Sequence, residues 1–211
     1  MEKALSLRSK LLAQLHWRRG VGIVFLLLAL FGVWDQWREK EIALLIGEPW
    51  EDMRQRSSAS IDPAISGHNW FRMPKSDARL RFVDPQYGFI TPAARFFTVS
   101  FSDDESISSL RMSPQVEPLL LDDALAVALD LQEQWRNAGW KPIFVDRSPS
   151  YADTPQWRAR MREGIKTDTT HWQAGDKYQV MLLLARFRDD KRPTEERYLL
   201  TLELADAWRK H

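Results

Sequence analysis

The pattern of apolar positions divides the chain into a short apolar segment near the N-terminus and a longer region of mixed polarity. Residues 20–34 (GVGIVFLLLALFGVW) carry no charge, and five Lys or Arg residues precede them within residues 1–19. An apolar segment that follows a basic one is typical of a signal anchor, whose positive end stays in the cytoplasm. We therefore expect a cytoplasmic tail over residues 1–19 and a transmembrane helix over residues 20–37.

The predicted span is short, and its flanking tryptophans support it. Fifteen uncharged residues are fewer than the ~20 that normally cross the hydrocarbon core. Trp17 and Trp34 are seventeen positions apart, or about 25 Å along a helix, and indole rings gather at both membrane interfaces. A cleaved signal peptide and a buried helix of a globular domain are the alternatives. No small-x-small cleavage pattern precedes Asp35, and the adjacent arginines before the segment fit a buried helix poorly.

Residues 38–69 are predicted to connect the anchor to a domain. Apolar residues recur at helical spacing over residues 35–56 until Gly47 interrupts them, which predicts a juxtamembrane helix. Residues 55–69 (QRSSASIDPAISGHN) are polar and rich in serine, which indicates a linker or a long loop. We therefore expect the extracytoplasmic domain to occupy residues 70–211.

Alternation of apolar and polar residues predicts a sheet within this domain. Residues 178–187 are apolar on both faces, as in a central strand, whereas residues 198–204 alternate and suit a sheet with one solvated face. The charged residues 188–197 between them are predicted to form an exposed hairpin loop. Further strands are predicted over residues 78–83, 95–101, 106–112, 140–145 and 169–173.

Residues 122–138 show the clearest helical pattern of the chain. We expect Asp122 or Asp123 to be its N-cap and Gly139 to adopt the left-handed conformation after its last turn. A second, short helix is predicted after Thr154, which a proline follows. The sequence thus predicts an α+β fold, in which a single N-terminal transmembrane helix precedes a mainly antiparallel sheet with about two helices packed on it.

Charge and cysteine content exclude several classes of function. Residues 1–19 hold five of the 30 Lys and Arg and one of the 29 Asp and Glu, so residues 20–211 carry 25 positive and 28 negative side chains, a net charge of −3. An acidic domain argues against nucleic-acid binding, which usually needs a basic surface. The chain contains no cysteine, which excludes disulfides, thiolate metal sites, thiol catalysis and lipid attachment at an N-terminal cysteine.

The search for catalytic motifs is negative. GxSxG, Walker, GxGxxG and HExxH patterns are absent, and the acidic doublets lack the ligand spacing of a calcium loop. His171 follows Asp168 and two threonines, but catalytic triads assemble residues from distant positions. We expect His171 to be an exposed histidine at a strand edge, and we predict no catalytic residue, no cofactor and no metal site.

One short segment concentrates positive charge. Residues 154–166 carry four positive side chains and only one acidic side chain, Glu163. A solvated helix that is docked through Trp157 and Met161 explains this pattern without any function. The functional interpretation is a binding site for an acidic protein partner or for lipid headgroups. Its candidate partner-binding residues are Arg158, Arg160, Arg162 and Lys166.

These expectations describe a single-pass protein of the bacterial inner membrane, with a cytoplasmic N-terminus and a periplasmic C-terminal domain. The domain is predicted to bind another protein and to have no enzymatic activity. Immunity proteins that neutralise envelope-targeted toxins share this architecture, and so, as the alternative, do accessory subunits of envelope assembly or secretion machines. An anchored hydrolase is the third interpretation, and it would need a polar cluster that the sequence does not show.

Overall fold

The computed structural model of the protein describes residues 39–163 and 167–207. The predicted tail over residues 1–19 and the predicted span over residues 20–37 lie outside the described residues, and within the described ranges no helix is long and apolar enough to cross a membrane. In chain order the elements are β1 (Glu41–Leu44), α1 (Trp50–Arg56), β2 (Trp70–Arg72), β3 (Ala78–Phe82), β4 (Phe89–Ala94), β5 (Phe97–Phe101), β6 (Ile107–Met112), α2 (Leu121–Asn137), β7 (Lys141–Ile143), α3 (Pro155–Arg162), β8 (Thr167–Ala174), β9 (Tyr178–Phe187) and β10 (Arg197–Asp206).

The strands form two sheets. In the smaller sheet β3 lies between β1, which is parallel to it, and β4, which is antiparallel. The larger sheet has seven strands in the order β2-β5-β6-β10-β9-β8-β7, and all its neighbours are antiparallel. The α+β class and the mainly antiparallel sheet are therefore confirmed.

The core lies on one face of the larger sheet, which we call the core face. Trp135 of α2 packs with its ring 5.8 Å from the ring of Trp172 on β8, and the Tyr198 hydroxyl of β10 reaches the backbone carbonyl of Met161 on α3. The smaller sheet covers the same face, since the ring of Phe82 is 5.0 Å from that of Tyr178. Helices α2 and α3 and the smaller sheet thus all pack on the core face.

Glutamine side chains bind the loops and strands around this core. The amide of Gln132, which is fully buried, accepts from the backbone N–H of Tyr151 at 2.7 Å and donates to its carbonyl at 3.1 Å. Gln134 binds the N–H and carbonyl of Ile90 in the same way, and Gln115 binds the backbone of β10. A side-chain amide has one donor end and one acceptor end, as a peptide does, so each glutamine pairs with the backbone of another segment as a peptide group would.

The predicted juxtamembrane helix over residues 35–56 is wrong over its middle part. Ile42 and Leu44 lie in β1, where both are fully buried, and only Trp50–Arg56 is helical. The pairing partner, β3, is far along the chain, as parallel pairing requires, so no local pattern reveals it. The compact unit begins at Lys40, so the predicted domain start near Trp70 is too late.

Other element boundaries differ in smaller ways. Helix α2 is confirmed and Gly139 follows it with φ +89°, but Leu120 is at the N-cap position without a side-chain cap. Asp122 and Asp123 therefore lie in the first turn, where their negative charge still interacts favourably with the positive end of the helix dipole. Strands β2 and β4 were not predicted. Strand β7 ends at Ile143, earlier than predicted.

Candidate functional site

The three described arginines of the predicted partner-binding site all lie on α3, and each pairs with carboxylates of the same chain. Thr154 caps this helix, as predicted, by accepting a hydrogen bond from the Trp157 amide at 3.2 Å. Lys166 lies outside the described residues. The ion pairs join Arg158 to Asp153 and Asp122, Arg160 to Asp168, and Arg162 to Glu196.

This pairing changes the electrostatic character of α3. Three guanidinium groups contact four carboxylates, so these contacts leave no excess of positive charge. Asp168 also accepts a hydrogen bond from the indole N–H of Trp157 at 3.0 Å, and Met161 is fully buried. A solvated helix that is docked through Trp157 and Met161 therefore accounts for the contacts of α3 without a binding function. Binding of an acidic partner stays a prediction.

The prediction that His171 is at a strand edge is wrong. Strand β8 lies between β7 and β9, and His171 pairs with Ile143 on one side and Met181 on the other. Its side chain points to the outer face of the large sheet, opposite the core face. The residue is half-buried, and desolvation lowers the pKa of its imidazole. His171 is therefore part of a surface built by the central strands.

A groove of about 330 Å³ opens on the outer face beside His171. Two short side chains line it, because Ser109 and Ala205 pair across β6 and β10 in one cross-strand row, which continues to Gln179 on β9. Side chains stand out from the face of a sheet, so a row of short side chains between rows of longer ones leaves a depression in that face. We call this feature the sheet-face groove, lined by Ser109, His171, Gln179, Met181, Glu203 and Ala205.

The groove combines an apolar wall with a few polar groups. Met181 supplies apolar surface, and Glu203 forms an ion pair with Arg111 at 3.1 Å on the next strand. The Oε1 atom of Gln179 is buried and has no hydrogen-bond partner within the described part of the chain. Buried polar atoms without partners are rare in native proteins.

Phe144 adopts an unusual backbone conformation next to the groove. Its φ is +57°, which is a steric outlier for a bulky residue. Its carbonyl accepts hydrogen bonds from the amides of Arg147 at 2.9 Å and Ser148 at 2.8 Å, which hold the turn. The ring lies edge-on to His171 with 5.6 Å between ring centroids. Backbone strain of this kind clusters at functional sites, so it supports the groove as the candidate site.

The spacing of strands keeps the polar side chains of the groove apart. Ser109 on β6 and His171 on β8 are three strands apart, or ~14 Å at ~4.8 Å per strand. Glu203 and His171 are two strands apart, or ~10 Å. A nucleophile and its base must be within hydrogen-bond distance, and this arrangement does not bring such a pair together. Over the described ranges, no group of three or more acidic or histidine side chains is placed to hold a metal ion.

A second exposed apolar surface lies on the edge strand β2. The rings of Trp70 and Phe71 stack with centroids 5.7 Å apart, and about half of each residue is exposed. This strand has three residues, so it offers a shorter platform than the long central strands that form the groove.

Comparison with known proteins gives no relative: no family model, no curated protein and no solved structure is significantly similar to this chain. The candidate site therefore rests on the geometry of this molecule. Sequence reasoning missed the groove because its residues come from four strands. The one available signal is the pattern of β9, which is apolar on both faces. It predicts apolar side chains on the face of the sheet opposite the core.

Proposed function

We propose that this chain is a membrane-anchored, non-catalytic domain that binds another protein through the outer face of its large sheet. The observation that carries the proposal is the sheet-face groove together with the apolar side chains around it. Met181, Leu183 and Leu199 are half-buried on the outer face, although α2, α3 and the smaller sheet all pack on the core face. Apolar surface on a sheet is normally covered by another layer, and a partner protein supplies that layer here.

The lining of the groove favours an apolar segment of a protein as the ligand. Its charged pair, Glu203 and Arg111, is already neutralised internally, so a small anionic or cationic ligand gains little from either group. The groove crosses strands β6, β10, β9 and β8, a width of ~14 Å. An elongated surface with apolar walls suits the side chains of a helix or strand of a partner.

The arginine helix α3 is the competing surface. To bind an acidic partner, the guanidinium groups of α3 would have to leave the carboxylates that they contact now. The groove is therefore the better supported site. In this proposal, the protein binds its partner on the periplasmic side of the bacterial inner membrane and blocks it, as in neutralisation of an envelope-targeted toxin.

Site-specific photocrosslinking in the full-length, membrane-inserted protein tests this proposal. A photoreactive amino acid is placed at Met181 in the groove, at Arg160 on α3, and at Ile90 as a control that is 42% exposed. We expect a discrete adduct from Met181 and none from Ile90. Ala205→Trp, which fills the groove, should abolish the adduct, whereas Ala126→Trp on the exposed side of α2 should retain it.

The remaining outcomes contradict the proposal in distinguishable ways. An adduct from Arg160 and none from Met181 would move the binding site to α3, as the sequence predicts. An adduct from Met181 that survives Ala205→Trp would show that capture does not use the groove. No adduct from either position would argue against a protein-binding function.

A further inference from the structure

The chain enters the folded domain very close to the predicted membrane span. The span is predicted to end at residue 37, and the compact unit begins at Lys40. Three residues of fully extended chain cover about 10 Å, and the headgroup layer extends several ångströms beyond the hydrocarbon core. If the span ends at residue 37 as predicted, the length of the intervening chain limits the entry point to about 10 Å from the membrane interface.

Several segments of the fold converge at this entry point. The carbonyl of Lys40 accepts a hydrogen bond from the Arg79 amide at 2.9 Å, at the start of β3. The first residue of β3 pairs with the last residue of β4, so the short connection from β4 to β5 lies at the same end. Residues 73–77 also lie at this end. The Lys75 amide donates to the Ser60 carbonyl at 2.9 Å, and the amide of residue 59, next to Ser60, donates to the Glu41 carbonyl at the start of β1.

This end carries apolar side chains that the fold leaves exposed. Met73 is 45% exposed, Phe96 43% and Val116 36%, and we call these three residues the entry-end patch. Val116 belongs to it because the carbonyl of its neighbour Gln115 accepts a hydrogen bond from the Arg95 amide, next to Phe96.

Phe96 is the most informative member of the patch. It lies in the two-residue connection between β4 and β5, where turn residues are usually small or polar. Its carbonyl accepts from the Ser113 amide at 2.9 Å, and the preceding Arg95 pairs with Asp77 at 3.2 Å. The backbone is thus fixed by these contacts while 43% of Phe96 stays exposed, which leaves apolar surface that insertion into a membrane interface would bury.

From these observations we infer that the entry-end patch inserts into the headgroup region of the bilayer and fixes the orientation of the domain on the membrane. The inference rests on the membrane anchor of the proposed function. Apolar and aromatic side chains bind at this depth through burial of their surface. Lys75 and Arg95 pair with Asp62 and Asp77, so we expect the contact not to depend on anionic lipid.

Single-cysteine labelling of the full chain in liposomes tests the inference, because the chain contains no cysteine of its own. A spin label is attached at Phe96→Cys and Met73→Cys in the patch. Matched controls are Ile90→Cys, 42% exposed, and Ile65→Cys, 37% exposed. Ile90 lies six residues before Phe96, near the other end of β4, or ~20 Å away along a strand. Leu27→Cys, within the predicted span, reports on the anchor.

We expect the labels at Phe96 and Met73 to collide several-fold less with a water-soluble nickel chelate than the labels at Ile90 and Ile65, and to remain accessible to lipid-soluble oxygen. The result should be the same in zwitterionic and anionic liposomes. Equal chelate access at all four positions, with Leu27 shielded, would overturn the inference and leave the anchor intact. A Leu27 label in water would overturn the anchor and the inference together. Patch labels shielded from both chelate and oxygen would show a protein contact instead of lipid, and would also overturn it.

Discussion

At the scale of single residues, Asp84 shows how a buried charge organises the backbone. The residue is 6% exposed, and its Oδ1 atom accepts from the amides of Gln86 at 2.9 Å and Tyr87 at 2.8 Å. Its Oδ2 atom accepts from the Tyr178 hydroxyl at 3.1 Å. Asp84 thereby joins the turn after β3 to the start of β9.

Acid should weaken this connection. Burial alone would raise the pKa of Asp84, but the hydrogen bonds from the Tyr87 and Gln86 amides and the Tyr178 hydroxyl, with the charge of Lys177, together outweigh it and hold the pKa below its usual 3.8. Because the pKa is lower in the folded state, the stabilisation is complete above pH ~3.8 and is lost as pH falls through the folded pKa. Urea unfolding at a series of pH values should show this loss in the wild type, and Asp84→Asn should show less of it. Identical pH dependence in both proteins would contradict the assignment.

Gly88 offers a steric prediction in the same turn. A Cβ atom at this position would lie 2.9 Å from the Asp84 carbonyl oxygen and 3.0 Å from that of Phe82. Both neighbours are backbone atoms that cannot rotate away, so Gly88→Ala should destabilise the domain by ~1–3 kcal/mol. Gln86→Ala, on the exposed side of the turn, should change stability by less than ~0.5 kcal/mol. Chemical denaturation measures both, and equal effects would show that the turn relaxes freely.

At the scale of elements, the two faces of β9 differ in what covers them. Leu182 is fully buried on the core face, whereas Leu183 is half-buried on the outer face. Leu182→Ala should therefore leave a cavity and reduce the free energy of unfolding by ~2–5 kcal/mol. Leu183→Ala is the matched control and should lose less than half as much. Equal losses in urea melts would mean that another part of the chain covers the outer face.

The arginines of α3 should act at this scale through their ion pairs. Replacing Arg158, Arg160 and Arg162 together with glutamine breaks the contacts of α3 with Asp122 on α2 and Asp168 on β8. Exposed ion pairs stabilise weakly, so we expect a modest fall in melting temperature with the fold retained, seen by circular dichroism. Crosslinking from Met181 should be unchanged. Loss of that adduct without unfolding would support the sequence-based prediction of a partner site on α3.

At the scale of the whole molecule, the orientation of the anchor is open to a direct test. The five positive residues before the predicted span favour a cytoplasmic N-terminus. A reporter that is active only outside the cytoplasm, fused after His211, should be active, and the protein should resist carbonate extraction. The same reporter fused before Met1 is the control and should be inactive. A shortened protein released in soluble form would show a cleaved signal peptide instead.

The sequence by itself determined the elements whose pattern repeats over neighbouring residues. β9 was predicted with its observed bounds, and α2 and β10 nearly so, because burial of every second or every third to fourth residue is visible in the chain. The α+β class follows from those elements. The predicted span over residues 20–37 belongs to the same kind of local signal, and it stays a prediction.

Only the tertiary structure decided which distant residues meet. The parallel pairing of β1 with β3 joins Glu41 to Arg79, so an apolar stretch that suits a helix locally becomes a buried strand. The arginines of α3 look like a free basic surface in the sequence, but Asp153 and Asp168 pair with them from nearby positions, and Asp122 on α2 and Glu196 in the loop before β10 pair with them from distant ones. The groove exists because strand register aligns short side chains from separate strands. Local patterns indicate which face of each segment is buried. The contacts that form a site depend on which distant segments the fold brings together.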